Sequence, residues 1–503
     1  MRGRILQRKI IMGKSTELDV KVKFGLKSFI TVVAILLAVL VLVGVLTYVI
    51  PAGRYTIYTT DLDKAELPFY EYTTDEALDK QIVIDSYREL AEGENTTRLP
   101  FYRWLLAPIE TLIFGGNSNM IMIIALLLVL GGTFKVLEES GGLVSLVRVI
   151  MVKLRAKRFV AIWVITAVIM ILSAVFGLQE QLLILYPVFA MLCTALNWSR
   201  FTAISFVLIG SGVGFTTAIT NPLTIGTASI AAGTSITDGM WYRCIIFVVM
   251  YVVTSLFLTY LAKRDERLVA EKFDVDKFVM VTEDEHREDI RKAKMIITLF
   301  SIALLSVIIT TSISALRSLA MVFMAVAFIV GTVIVGKMLL GTYKNLGRSF
   351  VKGVKDVLPS IVIIMIAFGI TYIAQQGNIL HTIFYCFYNS VTNISPYLAV
   401  VILYAFVLII EFFIPSASAK AVLIIPMLTL APIEGISKTV IILTYLFADG
   451  YANVLFPTCG TLLVGLGLAD VSFAQWFKKT ILFQLLLLVM SLGFLLLAVF
   501  IRL

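Results

Sequence analysis

Four ionisable side chains lie inside long apolar stretches of this 503-residue chain: Glu180, Glu411, Lys420 and Asp449. A charge at membrane depth is costly and marks an ion or substrate path by default. Glu180 falls in the run FGLQEQLLILYPVFAML and Lys420 in FIPSASAKAVLIIPMLTL. Their positions agree within one residue when the runs are aligned on Pro187 and Pro426. A Glu and a Lys facing one cavity could hold a zwitterion, the Glu taking an ammonium and the Lys a carboxylate. The bland alternative is a Glu180–Lys420 salt bridge that only stabilises the fold. Glu411, just before the second run, either pairs with a polar neighbour or carries a proton. Around these charges the chain places Gln179 and Gln181, then Ser416 and Ser418. Thr216, Thr217, Thr220 and Asn221 interrupt one apolar stretch; Asn453, Thr458 and Thr461 interrupt another. Such residues coordinate hard cations, and interrupted helices expose N–H groups for a carboxylate. Gln179, Glu180, Gln181, Thr217, Asn221, Ser416, Ser418, Lys420, Asp449, Asn453 and Thr458 are therefore the candidate solute contacts. Thr216, Thr220, Asn221, Ser418, Asn453 and Thr461 are the candidate Na⁺ ligands. The alternative for each is a capping or packing role.

The elements that must position these residues are written twice. GSGVGFTTAITNPLTIG follows the first run and ADGYANVLFPTCGTLLVGLG the second. Pro222 precedes Trp241 by the same 19 residues that separate Pro457 from Trp476. Upstream, residues 132–143 match 369–380 at a shift of 237. Each copy carries Gly, Pro, Ser, Thr and Asn inside apolar runs, and in a membrane broken backbone survives only where protein or a wet cavity satisfies it. Paired interruptions in matching positions point to a secondary transporter and its binding site.

Composition agrees with that class. The chain is 59% hydrophobic and 15% charged, where a soluble protein carries about a quarter charged residues. The net charge of +9 sits beside predicted helix ends, so it reads as a topology signal and not as a nucleic-acid surface. Cys193, Cys244, Cys386 and Cys459 show no metal or redox spacing, and His286 and His381 are isolated. The first apolar run is too long for a cleaved signal and reads as a retained helix. No pattern of an enzyme, a channel filter or a phosphate loop is present.

Charge placement orders the rest. Residues 1–50 read as a basic cytoplasmic N-terminus and a first span, and 51–117 as an external cap. Residues 118–263 form the first copy, with an interface helix at 141–152, a hairpin at 158–196 and a broken helix at 200–236. The hairpin is either re-entrant from the cytoplasm or two full spans with an external turn. Residues 264–292 read as a solvated cytoplasmic linker, and 293–354 as two scaffold spans followed by a basic loop. Residues 355–503 form the second copy, with an interface helix at 379–393, a hairpin at 395–432 and a broken helix at 437–470. The turn at 434–438 and the C-terminus fall outside. The first copy enters the membrane from outside and the second from the cytoplasm, which makes the pair an inverted repeat.

VIPAGRY after the first span, FGLQEQ, GFTTAITNPLTIGTA, IPSASAKAVLIIPM and DGYANVLFPTCGTLL together resemble the anaerobic C4-dicarboxylate carrier family in its YfcC-like branch, over about 27–501. The resemblance implies the ion-transporter superfamily fold: an all-α polytopic membrane protein with inverted repeats, re-entrant hairpins and elevator-type motion in a homodimer of the bacterial inner membrane. Members of the family carry C4-dicarboxylates, short-chain fatty acids, amino acids or peptides. This chain departs from the pattern at Gln181, where the tip commonly has a second acid, and at Glu411, where relatives tend to have an amide. The expectation is a secondary transporter of a small carboxylate-bearing solute, coupled to Na⁺ or H⁺. The Glu180–Lys420 pair favours an amino acid or short peptide over a dicarboxylate, since a dicarboxylate site would want two cationic or dipolar anchors. No cofactor is expected beyond a bound Na⁺.

Overall fold

The computed structural model describes residues 26–59, 70–73, 83, 86–91, 99–113, 118–154, 157–268, 278, 280–313, 316, 319–391, 394–414, 417–430 and 435–503. The basic segment 1–25, Ser416 and Glu434 lie outside these residues, as does the side chain of Ser418.

Regular structure is almost entirely helical. A first helix, α1 (Leu26–Val49), leads into a small cap. There β1 (Gly53–Arg54) pairs antiparallel with β4 (Arg88–Glu89), and β2 (Ile57–Thr59) pairs in parallel with β3 (Tyr70–Tyr72). Helix α2 (Phe101–Ile113) closes the cap segment. The first copy follows as α3 (Ser118–Glu139), α4 (Gly142–Leu154), α5 (Arg158–Phe176), a 3₁₀ turn (Glu180–Leu185), α6 (Tyr186–Ala195), α7 (Arg200–Thr216), a π turn (Pro222–Gly226), α8 (Thr227–Ala232) and α9 (Met240–Leu268). Two further helices, α10 (Glu283–Ser312) and α11 (Ala320–Leu340), join the copies. The second copy is α12 (Tyr343–Gln376), α13 (Ile379–Val391), α14 (Pro396–Phe413), α15 (Ala417–Leu430), α16 (Lys438–Leu455), α17 (Gly460–Leu468) and α18 (Phe473–Phe500). Among the described residues, nine helices are long and apolar enough to cross a membrane.

Local sequence sets the helix starts. Ser199, Ser395, Ser437 and Ser472 each accept a backbone N–H at the head of α7, α14, α16 and α18. These hydroxyls satisfy donors that the first turn leaves open. The helix bounds repeat too. Both ends of α4 and α13 coincide at a shift of 237, and α7 and α16 begin 238 apart.

Two expectations are corrected. The linker 264–292 is helical at both ends: α9 runs to Leu268, and α10 starts at Glu283 with a Thr282–Glu285 capping box. The basic loop before the second copy is instead the first turns of α12, which runs 34 residues from Tyr343. Charged residues there continue a helix whose apolar part lies further on.

Packing follows the repeat. Helix α5 packs on α7, and α14 on α16; α9 packs on both α5 and α7, and α18 on both α14 and α16. The two inner helices, α7 and α16, cross each other. A frame of α1, α2, α3, α10, α11 and α12 surrounds this group, with α12 packed on α1, α2 and α3. Each copy's short second helix is held by a different segment. On α4, Arg148 pairs with Asp289 at 2.6 Å, and Ser145 donates to the same carboxylate at 2.5 Å. On α13, Thr382 donates to the Pro51 carbonyl at 2.7 Å and Tyr385 stacks on Tyr87 of the cap at 4.1 Å. The His381 Nδ1 accepts the Tyr55 N–H at 3.2 Å.

Candidate functional site

Two breaks and two hairpin tips meet around the α7–α16 crossing. At the first tip, Gly177 ends α5 with φ +73°, and a Cβ there would lie 2.4 Å from Asn221 Oδ1. Only glycine allows that left-handed turn and that approach. The Asn221 side chain is fully used: Oδ1 accepts from Leu223 N and Thr224 N at 2.8 and 3.3 Å, and Nδ2 donates to Ser173 O at 3.2 Å. The N–H groups of Ile219, Thr220 and Asn221 all donate to the Ala174 carbonyl, at 2.9, 3.2 and 3.1 Å. Thr220 Oγ1 donates to Val175 O at 3.2 Å. The break between α7 and the π turn is thus fastened to the end of α5.

Of the tip residues, Gln179 and Gln181 are buried, and Gln181 Oε1 accepts the Gln179 N–H at 3.1 Å. Glu180 is half-buried beside them, at the head of the 3₁₀ turn. That turn packs against α17 of the other copy, while α15 packs against the π turn and α8. Each hairpin therefore reaches the broken helix of the opposite copy.

The second copy concentrates charge. Lys420 Nζ donates to Asp449 Oδ1 at 2.8 Å and also pairs with Glu411 Oε2. Lys420 and Asp449 are 0% exposed and Glu411 2%, so water does not screen this cluster. The remaining carboxylate oxygens, Glu411 Oε1 and Asp449 Oδ2, have no partner. Lys420 also lies over the Tyr445 ring, whose hydroxyl donates to Ala417 O at 2.7 Å and fixes the start of α15. The alternative Glu180–Lys420 salt bridge is not among the ion pairs of the described residues, and Lys420, expected to face a solute carboxylate, is buried against Glu411 and Asp449. Lys420 bonds within its own copy, because α14, α15 and α16 are direct neighbours.

The second break is held differently from the first. Trp476 Nε1 and Gln484 Nε2 both donate to the Val454 carbonyl, at 2.9 and 3.3 Å, which α16 frees by ending at Leu455. Asn453 Oδ1 accepts from Cys459 Sγ across the break at 3.3 Å. Thr458 Oγ1 is buried without a partner, and Thr461 begins α17 half-buried. Thr216 and Thr217 donate to carbonyls of their own helix, Gly212 O and Val213 O, at 3.1 and 2.9 Å.

Three of the candidate Na⁺ ligands are engaged in bonds within the protein. Asn221 has both acceptor positions taken by backbone N–H groups, Asn453 accepts from a thiol, and Thr220 is turned to Val175. No step is routed through Na⁺ here.

The residue pattern did not single out Tyr445, Ser173, Arg243 or Gln484. Arg243 is buried and donates to the carbonyls of Asp238 (2.9 Å), Ile219 (3.3 Å) and Ile236, closing the far side of the first break. Its only sequence signal is an arginine one turn into a span. Nothing in sequence marks Tyr445 or Gln484 apart from polar atoms at buried helix positions.

A helical bundle with nine candidate spans among the described residues and two interrupted, interlocked hairpin–helix pairs defines a multi-pass membrane carrier. Residues 29–500 match the sequence profile of the C4-dicarboxylate anaerobic carrier family, DcuC, and the chain belongs to it. Among its relatives is the Escherichia coli (strain K12) protein named "Putative basic amino acid antiporter YfcC", 23% identical over 395 residues, 74% of this chain and 76% of that one. An uncharacterized Haemophilus influenzae protein is 22% identical over 490 residues, covering 90% of this chain and 93% of that one. Two solved structures align over most of the chain. The Alcanivorax borkumensis YdaH transporter has 17% identity and a TM-score of 0.42, with 94% of this chain and 97% of that one covered. Neisseria gonorrhoeae MtrF, titled an antimetabolite efflux pump, has 14% identity and a TM-score of 0.42, with 93% and 95% covered.

Proposed function

We propose that this protein is a secondary active transporter of the bacterial inner membrane that carries a small solute bearing both a carboxylate and an ammonium group, an amino acid or short peptide. The carrying observation is the charge at the meeting point of the two copies. Glu180, Glu411 and Asp449 provide three carboxylates against one lysine, and that lysine is already bonded to two of them. A dianionic solute would meet these carboxylates, with Lys420 already engaged by two of them. A solute ammonium finds Glu180, half-buried at the first tip and close enough to Asp449 to act on it. The solute carboxylate finds the uncapped N-terminus of α17, with the unpartnered Thr458 hydroxyl just before it. The name of the YfcC relative, a basic amino acid antiporter, is in keeping with this reading.

The reading includes an inverted repeat, re-entrant hairpins and alternating access by elevator-type motion in a homodimer. A reciprocal contact supports the internal two-fold. A Cβ on Gly212 would meet Val454 at 2.1 Å, and one on Gly450 would meet Thr216 at 2.2 Å. Gly212 and Gly450 are 238 apart, and so are Thr216 and Val454. Such an exchange of partners is the signature of a two-fold axis through a contact. Inversion is supported by what sits at each end. Arg158 and Trp198, the two feet of the first hairpin, both reach Glu266, at 3.3 and 2.8 Å, on the side assigned to the cytoplasm. The Ser437 hydroxyl reaches the Leu503 carbonyl at 2.6 Å on the side assigned to the outside.

Purified protein in liposomes, given labelled lysine, a neutral amino acid, a dipeptide, succinate and butyrate, tests the substrate class. Uptake of an ammonium-bearing solute is expected, with Glu180→Gln reducing it. Uptake of succinate or butyrate with no amino acid or peptide uptake would replace this reading with a dicarboxylate or fatty-acid carrier.

A further inference from the structure

The Glu411–Lys420–Asp449 cluster carries two carboxylates and one ammonium, leaving one negative charge if all three are ionised. It is sealed from water. A lone charge in such a place is strongly disfavoured and is neutralised by a counter-ion or by a proton. The oxygens left over are Glu411 Oε1 and Asp449 Oδ2, both buried and unpartnered. A metal cation fits poorly beside the Lys420 ammonium. Hard cations want several oxygens, and among the described residues no group of three or more His, Cys, Asp or Glu could hold one. A proton needs a single oxygen and no shell.

We propose that Glu411, held against Lys420 and Asp449, is the proton-coupling site of the carrier. One proton from water adds to the free Glu411 oxygen, forming an O–H bond and bringing the cluster to neutrality while it is closed. When the cavity opens, that O–H bond breaks and the proton returns to water on the new side; no electron changes hands. Lys420 fixes the geometry and never needs to leave its two partners. The groups acting on Glu411 are Lys420 from α15, Asp449 and Tyr445 from α16, and Tyr404 from its own helix. From the first copy, Glu180 acts on Asp449. The inference rests on the transporter reading for its role in coupling, but the proton site itself can be tested without any solute.

The test is infrared difference spectroscopy of the purified full-length protein, titrated in pH at fixed ionic strength, first with Na⁺ and then with K⁺ as the only alkali cation. A protonated-carboxyl band should appear and disappear with pH in the native protein. It should be the same in both salts and be lost in Glu411→Gln. Asp449→Asn should shift its midpoint by changing the charge beside it, which keeps the test informative should one variant fold poorly. A band unchanged in both variants, or one displaced by Na⁺ at constant pH, would overturn the proposal. Liposomes loaded with a pH-sensitive dye then separate the two readings. Solute-driven proton movement in the native protein, lost in Glu411→Gln, supports both. Solute uptake that moves no protons overturns the coupling role. A titrating Glu411 band in a protein that transports no member of the solute panel leaves the proton site standing and removes the substrate assignment instead.

Discussion

The two copies share a skeleton and differ in what holds it. In the first, the break is tied by backbone donors on one carbonyl and by the amide of Asn221. In the second, three ionisable side chains lock α14, α15 and α16 together. Away from the crossing the roles reverse. The first copy fixes α4 with the Arg148–Asp289 ion pair, and the second fixes α13 with neutral groups of the cap. Repeated architecture therefore does not imply repeated chemistry. One copy closes its break mainly with main-chain and amide bonds, and the other with a buried cluster of charged side chains.

The sharpest way to break this contrast is Lys420→Met. It leaves two carboxylates buried without their cation and should cost about 3–5 kcal/mol, read as a large fall in thermal stability of the detergent-purified protein. The triple variant Glu411→Gln, Lys420→Met, Asp449→Asn should recover most of that loss while remaining inactive. Failure of the triple variant to recover would mean that packing, not charge, sets the cost.

Gly450→Ala comes next. Its methyl group would press on Thr216 at 2.2 Å, and overpacking of this kind costs about 1–3 kcal/mol. Gly212→Ala should also destabilise but less, because its methyl group would meet the Val454 side chain and not the backbone that faces Gly450. A larger loss of thermal stability in Gly212→Ala than in Gly450→Ala would argue against this packing of the crossing.

Asn221→Ala removes a cap and a bridge to Ser173, for about 1–2 kcal/mol. Asn221→Asp keeps the two accepted N–H bonds and should fall between alanine and the native residue. An aspartate as damaging as alanine would assign the value of Asn221 to its bridge to Ser173.

The smallest effect is local and depends on pH. Burial, with Arg54 nearby, pushes the His381 imidazole down to about 4. Its neutral Nδ1 accepts from Tyr55. A histidine lowered on folding contributes stability that is complete above its ordinary value near 6.5 and is lost as pH falls toward 4. Amide exchange at Tyr55 should therefore speed up over that interval. Unchanged exchange at Tyr55 over that interval would remove the assigned role of His381.

The breaks were legible in sequence because Gly and Pro inside apolar runs have few other uses, and Gly177, Pro222 and Pro457 lie at or within a few residues of them. The partner of Lys420 was not. Aligning the copies drew it toward Glu180, whereas packing brought α14 and α16 against α15. Sequence symmetry states which residues are equivalent, not which ones touch. The starts of α10 and α12 were missed because dense charge reads as loop. The T-x-x-E at 282–285 was the available signal for α10.

The Ala174 carbonyl receives three N–H groups from 219–221. This joint is made of main-chain atoms, so no side-chain replacement removes it directly. Hairpin arm and broken helix are bound by a connection that mutation can hardly reach. The side chains around this joint are therefore free to vary while the joint itself persists, so the geometry of the break does not depend on the identity of any one of residues 219–221.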